Sequence, residues 1–304
     1  MSGDGPPVQE LRLSLCICTL DRPLELARCL STLHAGSRLP DEILVADDSP
    51  DPEETQAVCS RYSGVRYLRG PGAGLAAKRN QLLGEVSGTH IIFPDDDVTF
   101  PPDFITRVYT LMTRMNSRAL VTGFNINHWA DGRSEKVLPH NPDFWGHQKL
   151  SLGDEPRAIT MNATVLPASL FRHARFDERL VYGSEEIDLA RQALSLGYSI
   201  EYSEELYIHH HPPEVRRGYQ STRIVEGLRL FATTKAYWRY ERAPVKALIY
   251  AVLAPLQMIA SAIRRRDTPA RDVVGAVALA AKLGVSSIAG RLRGRVLRTG
   301  STQG

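Results

Sequence analysis

His90-Ile-Ile-Phe-Pro-Asp-Asp-Asp-Val98 decides how this chain is read. Ile91, Ile92 and Phe93 form a short apolar run, the mark of a buried strand. Pro94 stops the ladder because it has no N–H to donate. Asp95, Asp96 and Asp97 follow without a spacer. Adjacent carboxylates repel, so three together call for a cation. Hard cations such as Mg2+ and Mn2+ take carboxylate oxygens and keep positions open for phosphate. The stretch reads as a strand-end metal site that holds a diphosphate. The plain alternative is a solvated acidic turn, since Asp is a common turn residue.

Upstream, Leu11 to Thr19 is nearly continuous apolar in its second half, as in a strand covered on both faces. Asp21-Arg22-Pro23 turns into a helix, with Pro23 suited to its first position. Leu26, Leu30 and Leu33 make one apolar face, and Gly36 ends it. Ile43 to Ala46 is a second strand closed by Asp47-Asp48-Ser49-Pro50. Asp51 and Glu54 read as the start of a helix running to about Tyr62. Val65 to Leu68 is a third strand. The Gly70-Pro-Gly-Ala-Gly74 loop lacks the Gly-Lys-Ser/Thr of a phosphate loop and misses the dinucleotide fingerprint. Lys78 and Arg79, on the helix after it, either reach an anionic ligand or lie on a solvated face.

Downstream, Phe104 to Met115 is predicted helical and Leu120 to Phe124 a strand. The alternation of strand and helix predicts an α/β fold with a mainly parallel, Rossmann-like sheet flanked by helices. Ligands of such sheets bind outside the carboxyl ends of the strands. Thr19, Asp47-Asp48 and Asp95 to Asp97 all fall there. Asn125 to Pro156 reads as an irregular flap in which Trp129 and Trp145 either stack on a ligand or pack. Ala158 to Leu166 is a returning strand. Ser184 is the expected cap of a helix from Glu185 to Leu196, closed by Gly197. Its first turn holds Glu185 and Glu186, and a helix N-terminus stabilises such carboxylates by ~0.3–1 kcal/mol each. One of them is a candidate general base. Tyr198 to Ile208 is extended and ends in His209-His210-His211. Alternation lets only part of that triplet face a single metal.

The composition is that of a soluble globular protein, with 43% apolar and 23% charged residues in 304. Residues 1–10 read as a flexible, polar start without a secretory signal, which makes the cytoplasm the expected compartment. Cys16, Cys18, Cys29 and Cys59 read as buried free thiols. The formal charge of +3 is uneven. From Arg264 onward nine basic residues face two acids, a surplus of seven that leaves −4 for the rest. Residues 11–217 form the expected catalytic domain and 218–304 a basic, helical extension. Ala247 to Ile263 carries no charge, but Pro255 and Gln257 interrupt it, and it falls short of the ~20 residues of a spanning helix. The extension suits an anionic membrane surface, or else packs on the domain or a second subunit. Nucleic acid is not an expected partner, because the basic tail has no aromatic residue to stack on bases.

In order and spacing, the motifs resemble the family 2 glycosyltransferases with a GT-A fold, over roughly Leu13 to Pro212. Leu15-Cys-Ile-Cys-Thr-Leu-Asp-Arg-Pro23 resembles the family's opening strand and helix start. Val45-Ala-Asp-Asp-Ser49 is similar to its Val-Asp-Asp-Gly-Ser segment. Gly74-Leu-Ala-Ala-Lys-Arg-Asn80 is similar to its Gly…Ala-Arg-Asn helix, and Phe93-Pro-Asp-Asp-Asp-Val98 to its Asp-x-Asp motif. Glu185-Glu-Ile-Asp-Leu189 before Gly197-Tyr198 is similar to Glu-Asp-x-Asp-Leu…Gly-Tyr. The departures are Ala46, Pro50, and Glu186 where Asp is usual.

The resemblance implies an inverting transferase that moves a sugar from a nucleotide-sugar donor to a glycan or lipid-linked acceptor. It implies Mn2+ or Mg2+ on Asp97 and a histidine, here His209, with 210 and 211 open. Thr19, Arg22, Asp48, Arg79 and Asp95 are the implied donor contacts. Asp96 is counted with them, as the triplet's most structural member. The base is Glu186, with Glu185 its alternate. The alternatives are nucleotidyl transfer on a related sheet, or a nucleotide-sugar-binding scaffold without activity.

Overall fold

The computed structural model describes residues 10–149, 155–181, 183–213, 221–265, 269 and 271–284. Of the basic tail, Arg266, Arg291, Arg293, Arg295 and Arg298 lie outside them, as do residues 1–9 of the expected flexible start.

Alternation along β1 (Leu13–Thr19) builds the core. Leu13, Leu15 and Ile17 point to one face and pack with α1 (Pro23–His34) and α4 (Phe104–Arg114). Cys16 points to the other and packs with β2 (Glu42–Asp47), α3 (Leu75–Leu82) and α5 (Glu185–Ser195). Both faces are buried, as the continuous apolar run implied. Leu26, Leu30 and Leu33 of α1 are the expected buried stripe. Trimming any of them to Ala costs ~2–5 kcal/mol. The four cysteines are free, and burial is the main force raising the Cys18 thiol to about 11.

The nine-stranded sheet orders as β3 (Val65–Arg69), β2, β1, β4 (His90–Ile92), β10 (Thr164–Pro167), β6 (Ala119–His128), β11 (Ser199–His210) and β5 (Val98–Thr99), with β7 (Ser134–Val137) on β6. β1 to β4 are parallel, as expected. β10 then runs antiparallel to both β4 and β6, and β11 returns parallel to β6. The expected sheet between helices is present, and the β10 insertion makes it mixed. β11 and β5 pair His210 with Val98, which carries the histidine triplet to the acidic turn.

Three expectations change. α2 (Glu53–Cys59) stops short of Tyr62, and Asp51, one residue before its N-cap Pro52, accepts from Glu53 N with no box to Glu54. The segment after Asn125 is not irregular throughout. β6 continues to His128, β7 folds back on it, and β8 (Asn141–Pro142) pairs with β9 (Gln148–Lys149). Trp145 in that second hairpin packs against Phe144 and is held to the helical extension, because its carbonyl accepts from Tyr250 OH at 3.2 Å. Ser184 does not cap α5 with its side chain; it sits at φ 67° after Gly183 at φ 72°, a left-handed pair that turns the chain sharply into the helix.

Beyond α6 (Thr222–Lys235), a π-helical turn at Ala236–Tyr240 leads to α7 (Pro244–Arg265) and then to α8, residues 271–284. Pro255 does not end α7, so the helix reaches 22 residues. By length and composition alone its Pro244–Arg264 stretch is long and apolar enough to cross a membrane, contrary to the expectation from the interrupted run. The same helices also pack on the domain. Tyr237 and Tyr250 pack with Phe144, and Lys235 reaches across to α5.

Candidate active site

The acidic turn lies where β1, β2 and β4 end. Asp95 continues the sheet through a parallel bridge to Cys18, and its N–H donates to Asn162 Oδ1 at 2.8 Å. The three aspartates then separate. Asp96 is buried and accepts from Thr19 Oγ1 at 2.7 Å and from Arg22 Nη1 at 2.7 Å. Burial, partly offset by Arg22, raises its carboxyl to about 6. Asp97 accepts from Arg22 Nη1 on Oδ2 at 2.8 Å. Its other oxygen, Oδ1, is buried without a hydrogen bond, and His210 Nε2 lies 3.2 Å away. Burial opposes ionisation of Asp97, yet His210 and Arg22 outweigh it and hold the carboxyl below its ordinary value.

His210 is fixed by a residue that no motif singled out. Its Nδ1 contacts Asn127 Oδ1 at 3.0 Å, so with the ring proton on Nδ1 the Nε2 lone pair turns toward Asp97, as a ligand to a shared cation would. Burial lowers the His210 pKa, and Asp97 more than reverses this, for a net rise. Asp95, Asp97 and His210 bring one ligand atom each within 4.8 Å of one another. His209, the expected ligand, faces the other way. Its Nδ1 lies 2.8 Å from His128 Nε2, while His211 Nε2 meets Thr99 Oγ1 at 3.1 Å. The strand's period of two therefore moves the candidate ligand from His209 to His210.

Beside Asp95, Arg79 is the hub. It is 3% exposed, so it is not on a solvated face. Its guanidinium lies 3.5 Å from Asp95 and 3.3 Å from Glu185, over the Phe176 ring. Glu185 Oε2 is buried without a partner. Glu186 is half-buried, and its carboxyl rises to about 7 through burial and then the neighbouring Glu185, against the pull of Arg79. A value near neutrality suits a group that takes and returns a proton.

The second acidic pair also divides. Asp47 is fully buried and accepts from Ser49 N at 2.8 Å and Tyr67 OH at 3.1 Å. Asp48 turns to the glycine loop, accepts from Gly72 N at 2.8 Å, and lies 3.7 Å from Lys78 Nζ. Gly70 is needed there, because a Cβ would fall 2.2 Å from Asp48 Oδ1. Lys78 donates to the Thr19 carbonyl at 2.6 Å. Of the expected donor contacts, Arg79 pairs with Asp95, and Asp48 lies beside Lys78 and the glycine loop. Thr19 Oγ1 and Arg22 Nη1 both donate to Asp96, and Arg22 Nη1 donates to Asp97 as well.

Six carboxylates, those of Asp48, Asp95, Asp96, Asp97, Glu185 and Glu186, face Arg22, Lys78 and Arg79. The excess of acidic over basic groups, and the buried Asp97 oxygen without a hydrogen bond, fit a divalent cation on Asp97 and His210, with Asp95 beside it.

Three further residues mount α5, the helix of Glu185 and Glu186. Lys235 Nζ lies 2.5 Å from Asp177 and 2.8 Å from Asp188, and Tyr240 OH donates to Asp188 at 3.3 Å. Asp188 lies one turn past Glu185. Lys235 carried no signal in the sequence beyond its place on a long helix.

The glycosyl transferase family 2 model matches residues 14–178. Succinoglycan biosynthesis protein ExoM of Rhizobium meliloti (strain 1021) is 27% identical over 225 residues, covering 69% of this chain and 70% of that protein. The crystal structure of GalNAc-T7 with UDP, GalNAc and Mn2+ superposes with a TM-score of 0.61 at 13% identity. The match takes in 77% of this chain and only 49% of that one, and at such identity it speaks to the fold alone. With the family model spanning more than half of the chain, this protein belongs to glycosyl transferase family 2 and is a glycosyltransferase.

Proposed function

We propose that this enzyme transfers a sugar, with inversion, from a nucleoside-diphosphate donor to a hydroxyl of a glycan or lipid-linked acceptor in cell-surface polysaccharide synthesis. One observation carries the reading: a buried, unpartnered Asp97 oxygen beside His210 Nε2, across from a glutamate titrating near neutrality. The likeness to a succinoglycan biosynthesis protein supports the polysaccharide setting.

Asp97 and His210 would hold Mn2+ or Mg2+, with Asp95 toward the ribose or phosphate side. Such a cation, when bound, neutralises the diphosphate as it leaves. Asp48 and the glycine loop border the nucleotide. Glu186 accepts the proton of the acceptor hydroxyl as its oxygen attacks the anomeric carbon. Attack opposite the leaving diphosphate breaks the old bond as the new one forms, so the configuration inverts. Arg79 holds Glu185 and Asp95 apart and keeps Glu186 from rising further. Nucleotidyl transfer would want a free basic residue in the first loop, and Arg22 is paired through Nη1 with Asp96 and Asp97. The basic, apolar extension suits a peripheral place on an anionic membrane face.

The test is donor turnover with Mn2+ in the wild type, Asp97→Ala and Glu186→Gln. Both variants should lose at least ~100-fold in kcat, the scale of a lost base or charge clamp. Unchanged rates in both would sink the assignment.

A further inference from the structure

A cavity of about 450 Å3 lies in the C-terminal helices, lined among others by Leu230, Phe231, Trp238, Ala251, Pro255 and Val277. Its wall is mostly apolar, and its size is that of a small-ligand site. Two cations, Lys235 and Arg239, also line it. Lys235 is paired to Asp177 and Asp188. Arg239 is exposed and makes no ion pair with any described residue. Trp238 beside it is 54% exposed. An amphipathic ring next to a cation suits the boundary between apolar chains and lipid phosphates.

The cavity opens beside an apolar surface. On α7, Val245, Leu248, Val252, Leu256, Ile259 and Ile263 are 46% to 72% exposed. At about 100° per residue all six fall within an arc of about 80°. Pro255 and Ala251, which line the cavity, follow directly on one border of that arc. A chain lying along the stripe can therefore turn into the cavity without crossing polar surface. Surface adhesion needs only the stripe. The cavity is a second feature, and one side chain links it to the helix that carries Glu185 and Glu186, because Lys235 lines the cavity and pairs with Asp188 of that helix.

We propose that this cavity takes the hydrocarbon chain of a lipid phosphate that bears the acceptor saccharide, with Arg239 on its phosphate. The inference rests on the transferase reading and names the class of acceptor. A single apolar chain binds weakly and reversibly, which suits a substrate that must enter and leave.

The probe is farnesyl diphosphate, titrated into the full chain in EDTA, which keeps its diphosphate from the cation site. Saturable binding is expected. Ala251→Trp, which fills the cavity, should weaken it at least ~10-fold, and Arg239→Gln several-fold. Retained Mn2+-dependent nucleoside diphosphate binding in each variant reports an intact fold. Binding that Ala251→Trp leaves unchanged overturns the proposal. So does displacement by inorganic pyrophosphate alone, which would mean a phosphate site without a chain. Equal displacement by phosphatidylglycerol vesicles would mean a general lipid anchor and overturns the acceptor assignment. Absence of Mn2+-dependent nucleotide binding in the wild type strikes the transferase reading instead and leaves the lipid result standing.

Discussion

Replacing Lys235 by methionine tests whether the C-terminal helices are part of the catalytic fold. Methionine keeps the apolar stem and removes the charge. The lysine side chain is 10% exposed, and those of Asp177 and Asp188 are 9% and 1%. Arg179 continues to pair with Asp177 at 2.6 Å. Asp188 keeps only Gln192 at 3.0 Å and Tyr240 OH at 3.3 Å, and its Oδ1 already lacks a hydrogen bond. Removing one partner of a buried pair costs ~3–5 kcal/mol, because the other charge stays buried. The two acids respond differently. Arg179 and Lys235 hold Asp177 low against its burial, while burial pushes Asp188 up in spite of the lysine. A raised folded-state carboxyl loses stability as pH rises, so the Lys235→Met penalty should be largest in mild alkali and smaller near pH 5. The assay is urea unfolding followed by circular dichroism and tryptophan fluorescence. Asp188→Asn in the same chain should recover part of the loss. The internal control is Arg114–Glu205, a pair at 3.0 Å with side chains 56% and 53% exposed, where Arg114→Met should cost under ~1 kcal/mol. A Lys235→Met loss no larger than that of Arg114→Met would refute the reasoning.

The remaining predictions concern the cleft. Glu186 must be ionised to act as base, and its carboxyl sits near 7 rather than 4.5. Turnover should therefore fall as pH drops through about 7, and a profile flat down to about pH 5 contradicts that role. The same raised value means that ionising Glu186 destabilises the fold as pH rises through it. With one pKa unit worth ~1.4 kcal/mol, and with allowance for partial exposure, Glu186→Gln should raise stability by ~1–3 kcal/mol above neutrality and by little near pH 4. Gly70→Ala forces Asp48 from a Cβ 2.2 Å away and breaks its bond to Gly72 N. Bonds to charged groups are worth ~1.5–3 kcal/mol, so calorimetry should show nucleoside diphosphate affinity falling ~10-fold or more, and an unchanged affinity would leave Asp48 without its assigned contact.

Much of this was legible in the sequence, for identifiable reasons. The apolar runs of β1, β2 and β4 ended in polar residues, and parallel strands bring such ends to one edge. Glu185 and Glu186 were legible because Gly197 closed their helix and fixed its phase. The choice among the three histidines stayed open because strand period says which residues share a face but not which face meets the acidic turn. That choice depends on β11 pairing with β5 and β6, a long-range register. The network of Thr19, Arg22 and Asp96 was hidden for a similar reason, since its hydrogen bonds join residues at least 74 apart. Asn127 looked like part of an irregular loop, although it lies on a continuing strand beside His210. The role of Lys235 needed the docking of α6 on α5, which no local pattern encodes.

The most direct measurement is titration of a nucleoside diphosphate with and without Mn2+ into the wild type, Asp97→Asn, His210→Ala and His209→Ala. The account predicts that Mn2+ tightens binding at least ~10-fold in the wild type. That gain should vanish in Asp97→Asn and His210→Ala and persist in His209→Ala. A Mn2+ effect that survives at 97 and 210, or disappears only at 209, would contradict it.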